Sequence, residues 1–128
     1  MNIRATAYVL TALLAAPVFS VNAVGGDQVL TSLCNYTAQN DKNRVRKTLK
    51  NAEIRLRDIY SDFQCNNLSL LRFAMSKDAV EAGEFIVKKV SKKQLTQPES
   101  DGATVLEWAA ANGKGDSPIV AAINDRIN

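Results

Sequence analysis

The sequence predicts an all-α protein of about six helices, joined in antiparallel pairs by short polar connections. Three observations predict it. Apolar residues recur at helical spacing in segment after segment, with no convincing long strand between them. Helix-start signals stand at the heads of several of these segments. Two of the segments also begin alike, about 35 residues apart.

Residues 1–23, MNIRATAYVLTALLAAPVFSVNA, stand apart from that pattern. One positive charge, Arg4, precedes an apolar run from Ala5 to about Val18, and the stretch closes on the small-x-small pattern Val21-Asn22-Ala23. This is the layout of a cleavable secretory signal peptide. A membrane anchor is the competing reading. The run is shorter than the roughly 20 apolar residues a spanning helix needs, however, and Thr11 and Pro17 interrupt it. Val24 rather than a cysteine follows the cleavage site, so a lipoprotein is not expected. Residues 24–128 then form a single helical domain, large enough for one core.

Along that domain, Val29, Leu30, Leu33 and Cys34 make an apolar stripe on a helix from about Asp27 to Thr37. Asn40 and Asp41 break it. Asp41 caps a second helix in which Val45, Thr48 and Leu49 face inward while Lys42, Arg46 and Lys50 line the outside at a spacing of four. Asn51 ends that helix. Residues 52–63 stay open: Ile54 and Leu56 alternate with Arg55 and Arg57 as in a strand, while Leu56, Ile59, Tyr60 and Phe63 fit a helix equally well.

A third helix follows from about Ser69, with Leu70, Leu71, Phe73, Ala74 and Met75 apolar nearly all round and therefore expected to be buried. Asp78 with Glu81 three residues later reads as a capping box opening a fourth helix to about Val90. Its core stripe is Val80, Phe85, Ile86 and Val90, and Gly83 leaves room for a close neighbour. Lys88, Lys89, Lys92 and Lys93 fall at its C-terminal end, where the helix dipole favours cations by about 0.3–1 kcal/mol each. Residues 96–102 are a loop. Thr104 and Glu107 form another capping box, heading a fifth helix that stops at Gly113. Ser117 with Pro118 starts a sixth, carrying Ile119, Val120, Ile123 and Ile127.

The third and fifth helices share a beginning: Ser69-Leu70-Leu71-Arg72-Phe73-Ala74 matches Thr104-Val105-Leu106-Glu107-Trp108-Ala109 in residue type. A period near this length points to stacked helix pairs. Residues 101–113, from Asp101-Gly102-Ala103-Thr104 to Asn112-Gly113, resemble an ankyrin repeat, with Val105 where that pattern has proline and Glu107 where it has histidine. Ser69 to Val90 is a weaker copy, and Cys34 to Leu49 weaker still. The resemblance implies an ankyrin-like stack; an irregular helical bundle using the same helices is the alternative. Leu33-Cys34-Asn35-Tyr36 together with the run from Cys65 to Ala74 is also similar to a family of small exported proteobacterial proteins known only as a domain of unknown function. That resemblance implies periplasmic residence and no particular activity.

The domain holds two cysteines, Cys34 and Cys65. In an exported chain an even count most often pairs, here closing a loop of about 30 residues for roughly 3–4 kcal/mol. With no histidine anywhere, the commonest general base and metal ligand is missing, and no Ser-x-x-Lys pair or glycine-rich phosphate loop is present. Glu81 and Glu84, one turn apart, are better read as helix-start carboxylates than as an acid–base pair. No catalytic residue, cofactor or metal is expected. Two carboxylates converging in a concavity would reopen the enzyme reading.

The totals, 16 basic and 13 acidic residues, are too balanced to argue for a polyanion. The distribution says more, because Lys42, Arg46, Lys47 and Lys50 crowd into the basic stretch 42–57. Nucleic acid is disfavoured as a partner, since export removes it and no aromatic residues interleave the cations. The expectation is a non-enzymatic periplasmic module that binds an unidentified protein through Glu107, Trp108 and Asn112 or through the basic stripe. The alternative is electrostatic attachment to anionic envelope lipid or polymer through residues 42–57.

Overall fold

The computed structural model describes residues 24–128. The expected signal peptide, residues 1–23, lies outside the described residues. Among the described residues the all-α expectation holds, with eight helices where six were expected: α1 Val24–Ala38, α2 Lys42–Asn51, α3 Leu56–Ile59, α4 Leu70–Ser76, α5 Val80–Lys89, α6 Lys92–Thr96, α7 Val105–Ala111 and α8 Pro118–Ile127. A 3₁₀ turn, Tyr60–Asp62, continues α3 directly. Among the described residues the nearest thing to a sheet is an isolated bridge between Cys65 and Leu68, and no helix is long and apolar enough to cross a membrane.

The two additional helices sit where the sequence signals conflicted. In the open segment 52–63 the helical spacing prevails: Leu56 and Tyr60, four apart, are both buried, and the strand-like alternation of Ile54 and Arg55 is confined to the turn ahead of α3. The lysine run is divided rather than grouped at one helix end. Lys88 and Lys89 occupy the last turn of α5, as expected, but Val90 turns to extended backbone and Ser91 caps a new helix, α6. Ser91 Oγ accepts from Gln94 N at 3.0 Å and Gln94 Oε1 accepts from Ser91 N at 2.9 Å, a full capping box. Lys92 and Lys93 therefore open α6 instead of closing α5.

Four helices end in the same way. Asn40, Glu53, Asp78 and Gly113 all have positive φ, and each is followed by an N–H that bonds to the carbonyl five residues back: Asp41 to Tyr36 O, Ile54 to Leu49 O, Ala79 to Ala74 O and Lys114 to Ala109 O. These bonds satisfy carbonyls that a helix end would otherwise leave free. Asp78 is thus the residue after the end of α4, at φ +53°, and not the cap of α5. The capping box expected from Asp78 and Glu81 does not form, because a left-handed residue turned out of α4 cannot aim its carboxylate at the α5 amides. Instead Asn40, in the corner between α1 and α2, accepts from Ala82 N through its Oδ1 at 2.9 Å and caps α5 from 42 residues away.

The other local starts form as expected. Asp41 Oδ1 accepts from Arg44 N at 3.1 Å, Thr104 and Glu107 exchange both capping-box bonds, and Ser117 caps α8 with Pro118 at its first position.

Each main helix buries one stripe: Leu33 on α1, Val45 and Leu49 on α2, Ile86 and Val87 on α5, Val105 and Ala109 on α7, Ile119 and Ile123 on α8. Burying a large aliphatic side chain contributes about 1.5–3 kcal/mol. The short α4 is buried from Leu70 to Met75 and lies in the middle of the molecule, packed against α1, α5 and α7, while α5 packs between α2 and α8. Cys34 on α1 is bonded to Cys65 in the turn before α4, as the cysteine count predicts.

Candidate functional site

Of the concavities beside the buried α4–α5 layer, two draw on more than two elements. The first grows out of α2. Burial of Val45 and Leu49 fixes the helix's rotation, and the spacing of four then turns Arg46 and Lys50 toward the end of α5. The turn at 52–55 and the start of α3 bring in Arg55 and Arg57, and the last turn of α5 brings Lys88 and Lys89. These six cations rim a groove of about 430 Å³ floored by Leu49, Ile54, Leu56 and Phe85. No acidic side chain lines it. Arg55 Nε pairs with Asp58 Oδ2 at 3.1 Å, and the Lys89 ammonium lies 5.5 Å from the Phe85 ring. Among the described residues Arg46, Lys50, Arg57, Lys88 and Lys89 have no carboxylate partner. Like charges lining one groove repel one another, and a bound anion relieves that repulsion.

The second concavity centres on Arg72, the one charged residue in the apolar body of α4. Its side chain is only 7% exposed. Nη1 donates to Asp101 Oδ2 at 2.7 Å and Nη2 to Asp101 Oδ1 at 2.9 Å, a bidentate pair, while Nη2 also reaches Ala103 O at 3.0 Å. Nε lies 2.8 Å from Glu99 Oε1 but off the line of its N–H, so that contact is Coulombic rather than a directed hydrogen bond. Glu99 Oε2 accepts from the Tyr60 hydroxyl at 3.2 Å. The Trp108 ring covers the guanidinium at 5.7 Å. One cation therefore ties α4 to the loop ahead of α7, to α7 itself and, through Glu99, to the 3₁₀ turn.

The electrostatics follow from that geometry. Hydrogen bonds from Arg72, aided by Ala103 N, hold the Asp101 carboxyl far below the usual carboxylate range. Burial, with the Glu99 charge beside it, pushes the Tyr60 phenol far above its ordinary value of 10.0. The Arg72 guanidinium is raised further, chiefly by its bonds to Asp101. Glu99 and Asp101 do converge in a concavity, the arrangement named above as reopening the enzyme reading. Both are committed to Arg72, and neither Asp101 nor Tyr60 exchanges a proton near neutral pH. The cluster ties the loop ahead of α7 and the 3₁₀ turn to α4. Among the described residues no three His, Cys, Asp or Glu side chains group closely enough to hold a metal ion.

The residues singled out from sequence fall into three sets. Arg46 and Lys50 line the basic groove, whereas Lys42 and Lys47 are exposed on α2 away from its lining. Glu107 and Asn112 are occupied locally: the Glu107 carboxylate accepts from Thr104 N at 2.8 Å, and Asn112 Nδ2 donates to Trp108 O at 2.8 Å. Trp108 is half-buried on Arg72. Sequence reasoning missed Arg72, Tyr60, Glu99 and Asp101. The available signal was a lone arginine inside an otherwise apolar helix, which demands a buried acidic partner. It also missed that Lys88 and Lys89 join the α2 cations, a union that depends on α2 packing beside α5.

A family model described as Protein of unknown function (DUF3718) matches residues 33–97, half of the chain. That span contains both cysteines and every residue lining the basic groove, and it stops short of Asp101 and Trp108. No curated protein and no solved structure matches the chain.

Proposed function

The chain belongs to the family described as Protein of unknown function (DUF3718), and from that premise we propose that it is a non-enzymatic binding protein of the cell envelope whose α2–α5 groove takes an anionic ligand. The observation that carries this reading is the groove itself: six cations over an apolar floor, with no acidic side chain among them. Its position wholly inside the family match adds to the reading. Periplasmic residence rests on the leader-like residues 1–23 together with the Cys34–Cys65 bond, which is the covalent state an oxidising compartment maintains.

An anionic lipid surface is the envelope component that such a groove suits, since each lysine near a negative surface is worth about 1 kcal/mol and apolar floor residues meet the headgroup boundary. The test is co-sedimentation with vesicles of phosphatidylglycerol against vesicles of phosphatidylcholine at low and high salt. Binding to the anionic vesicles alone is expected, weakened by salt and reduced about tenfold or more by Lys50→Glu with Lys88→Glu. Binding that ignores salt or charge reversal would sink the proposal.

A second reading, a protein-binding module built as an ankyrin-like stack, draws support from one observation. Helix α4 packs between α1 and α7 while α5 packs between α2 and α8, the neighbour order that stacked helix pairs require. On that reading a protein partner would meet the α7 face at Glu107, Trp108 and Asn112. Two of those three side chains already serve local bonds, so the basic groove is the stronger site.

A further inference from the structure

We propose that the concavity beside Arg72 is a second binding site, independent of the basic groove, and that it takes an uncharged polyhydroxylated ligand of the oligosaccharide class. Its volume, about 430 Å³, is that of a small-ligand cleft. One wall is the Tyr60–Glu99–Arg72–Asp101 cluster. Phe63, Gln64, Asn67 and Gln97 supply the rest of the surface that the argument uses.

Three features select the ligand. The charged wall is compensated from within: one guanidinium faces two carboxylates, leaving a single surplus negative charge that disfavours anions, the opposite of the α2–α5 groove. Among the described residues the side chains of Gln64, Asn67 and Gln97 make no hydrogen bond, so three planar amides, each both donor and acceptor, face the cleft unspent. Vicinal hydroxyls carry the same pairing of donor and acceptor. Phe63 is half-buried, and a partly exposed ring beside amides is the surface on which the C–H face of a pyranose packs.

The wall is also rigid before any ligand arrives. Arg72 is held by Asp101, Ala103 O and Glu99, and Glu99 in turn by the Tyr60 hydroxyl. Asp101 and Glu99 still carry unused lone pairs that can accept from hydroxyls. A ligand therefore meets oriented acceptors without first ordering them, which lowers the entropic cost of binding.

The experiment is a titration of the oxidised, ¹⁵N-labelled protein with maltotriose, cellotriose and chitotriose up to about 10 mM, the weak end of specific binding. Side-chain NH₂ resonances of Asn67 and Gln97 are followed. At least one trisaccharide is expected to give saturable shifts, weakened about tenfold by Gln97→Ala, which sits on an exposed position and leaves the core intact. Phe63→Ala should weaken binding similarly, with folding checked by the dispersion of the remaining amides. Lys50→Glu with Lys88→Glu should leave the shifts unchanged, so that failure of this site and failure of the anion groove are read separately. No saturable shift with any of the three sugars, or shifts that persist undiminished in Gln97→Ala, would overturn the proposal. So would a site that answers only to dextran sulfate or to spermidine.

Discussion

Arg72 concentrates more of the molecule's connectivity than any other described side chain. A buried arginine is stable only because its partners are buried or oriented with it, and here Glu99 is 15% exposed while Asp101 is 53% exposed. Replacing Arg72 with Met would leave Glu99 largely desolvated without a counter-charge. We expect a loss of about 3 kcal/mol in urea unfolding, the lower end for breaking a buried pair. Arg72→Lys should recover part of it, since a lysine keeps the charge but not the bidentate fork. Tyr60 makes a second prediction, in pH. Its folded-state pKa is raised, so the neutral phenol's contribution is complete below the ordinary value of 10.0 and is lost as pH rises through the elevated folded value. The urea midpoint should fall from about pH 10 upward, and Tyr60→Phe should flatten that decline. Reading the sequence alone, one sees Arg72 as an interruption in Leu70 to Met75. Its partners sit 27 and 29 residues away in a loop that carries no periodic signal, so the cluster was illegible even though the demand for a partner was not.

Among the helices, legibility follows the distance over which each end is determined. Asp41, Thr104 and Ser117 cap the helices they precede, and those starts could be read directly. The start of α5 could not, because its acceptor comes from Asn40 and because Asp78 was needed to close α4. Ser91 with Gln94 is a local signal that was obscured by the lysines around it. At the far end of α5, Arg126 from α8 donates to Val87 O and Val90 O, so that this helix too is finished by a distant side chain. Gly83 leaves room for a neighbour, and α8 fills that room: a Cβ at position 83 would collide with Ile119 Cδ1 and lie 2.6 Å from its Cγ1. Ile119 is fully buried and has little space to retreat. Gly83→Ala would gain about 1 kcal/mol in helix propensity yet lose about 1–3 kcal/mol to overpacking, for a net loss. Adding Ile119→Val, which removes the Cδ1 atom, should restore part of the stability; a thermal-unfolding comparison of the single and double variants checks it.

At the scale of the whole molecule, the fold class was legible because it is written locally many times over, and the disulfide because two cysteines allow one pairing. The basic groove was not, since its rim joins 46–57 to 88–89 through the packing of α2 on α5. The bond Cys34–Cys65 spans 31 residues. Replacing both cysteines with serine should cost about 3–4 kcal/mol in the oxidised comparison, measured by denaturant midpoints with and without the bond. The same crosslink bears on the Asn40 cap in another way. Without it, the chain must close a 42-residue excursion to bring Asn40 onto Ala82. With it, a path from Asn40 back to Cys34, across the sulfurs and on from Cys65 shortens that excursion by a little under half. Loop-closure entropy grows with the length of chain to be closed, so the oxidised chain finds the start of α5 at a lower entropic cost than the reduced one. Oxidation thus acts on a helix that contains neither cysteine.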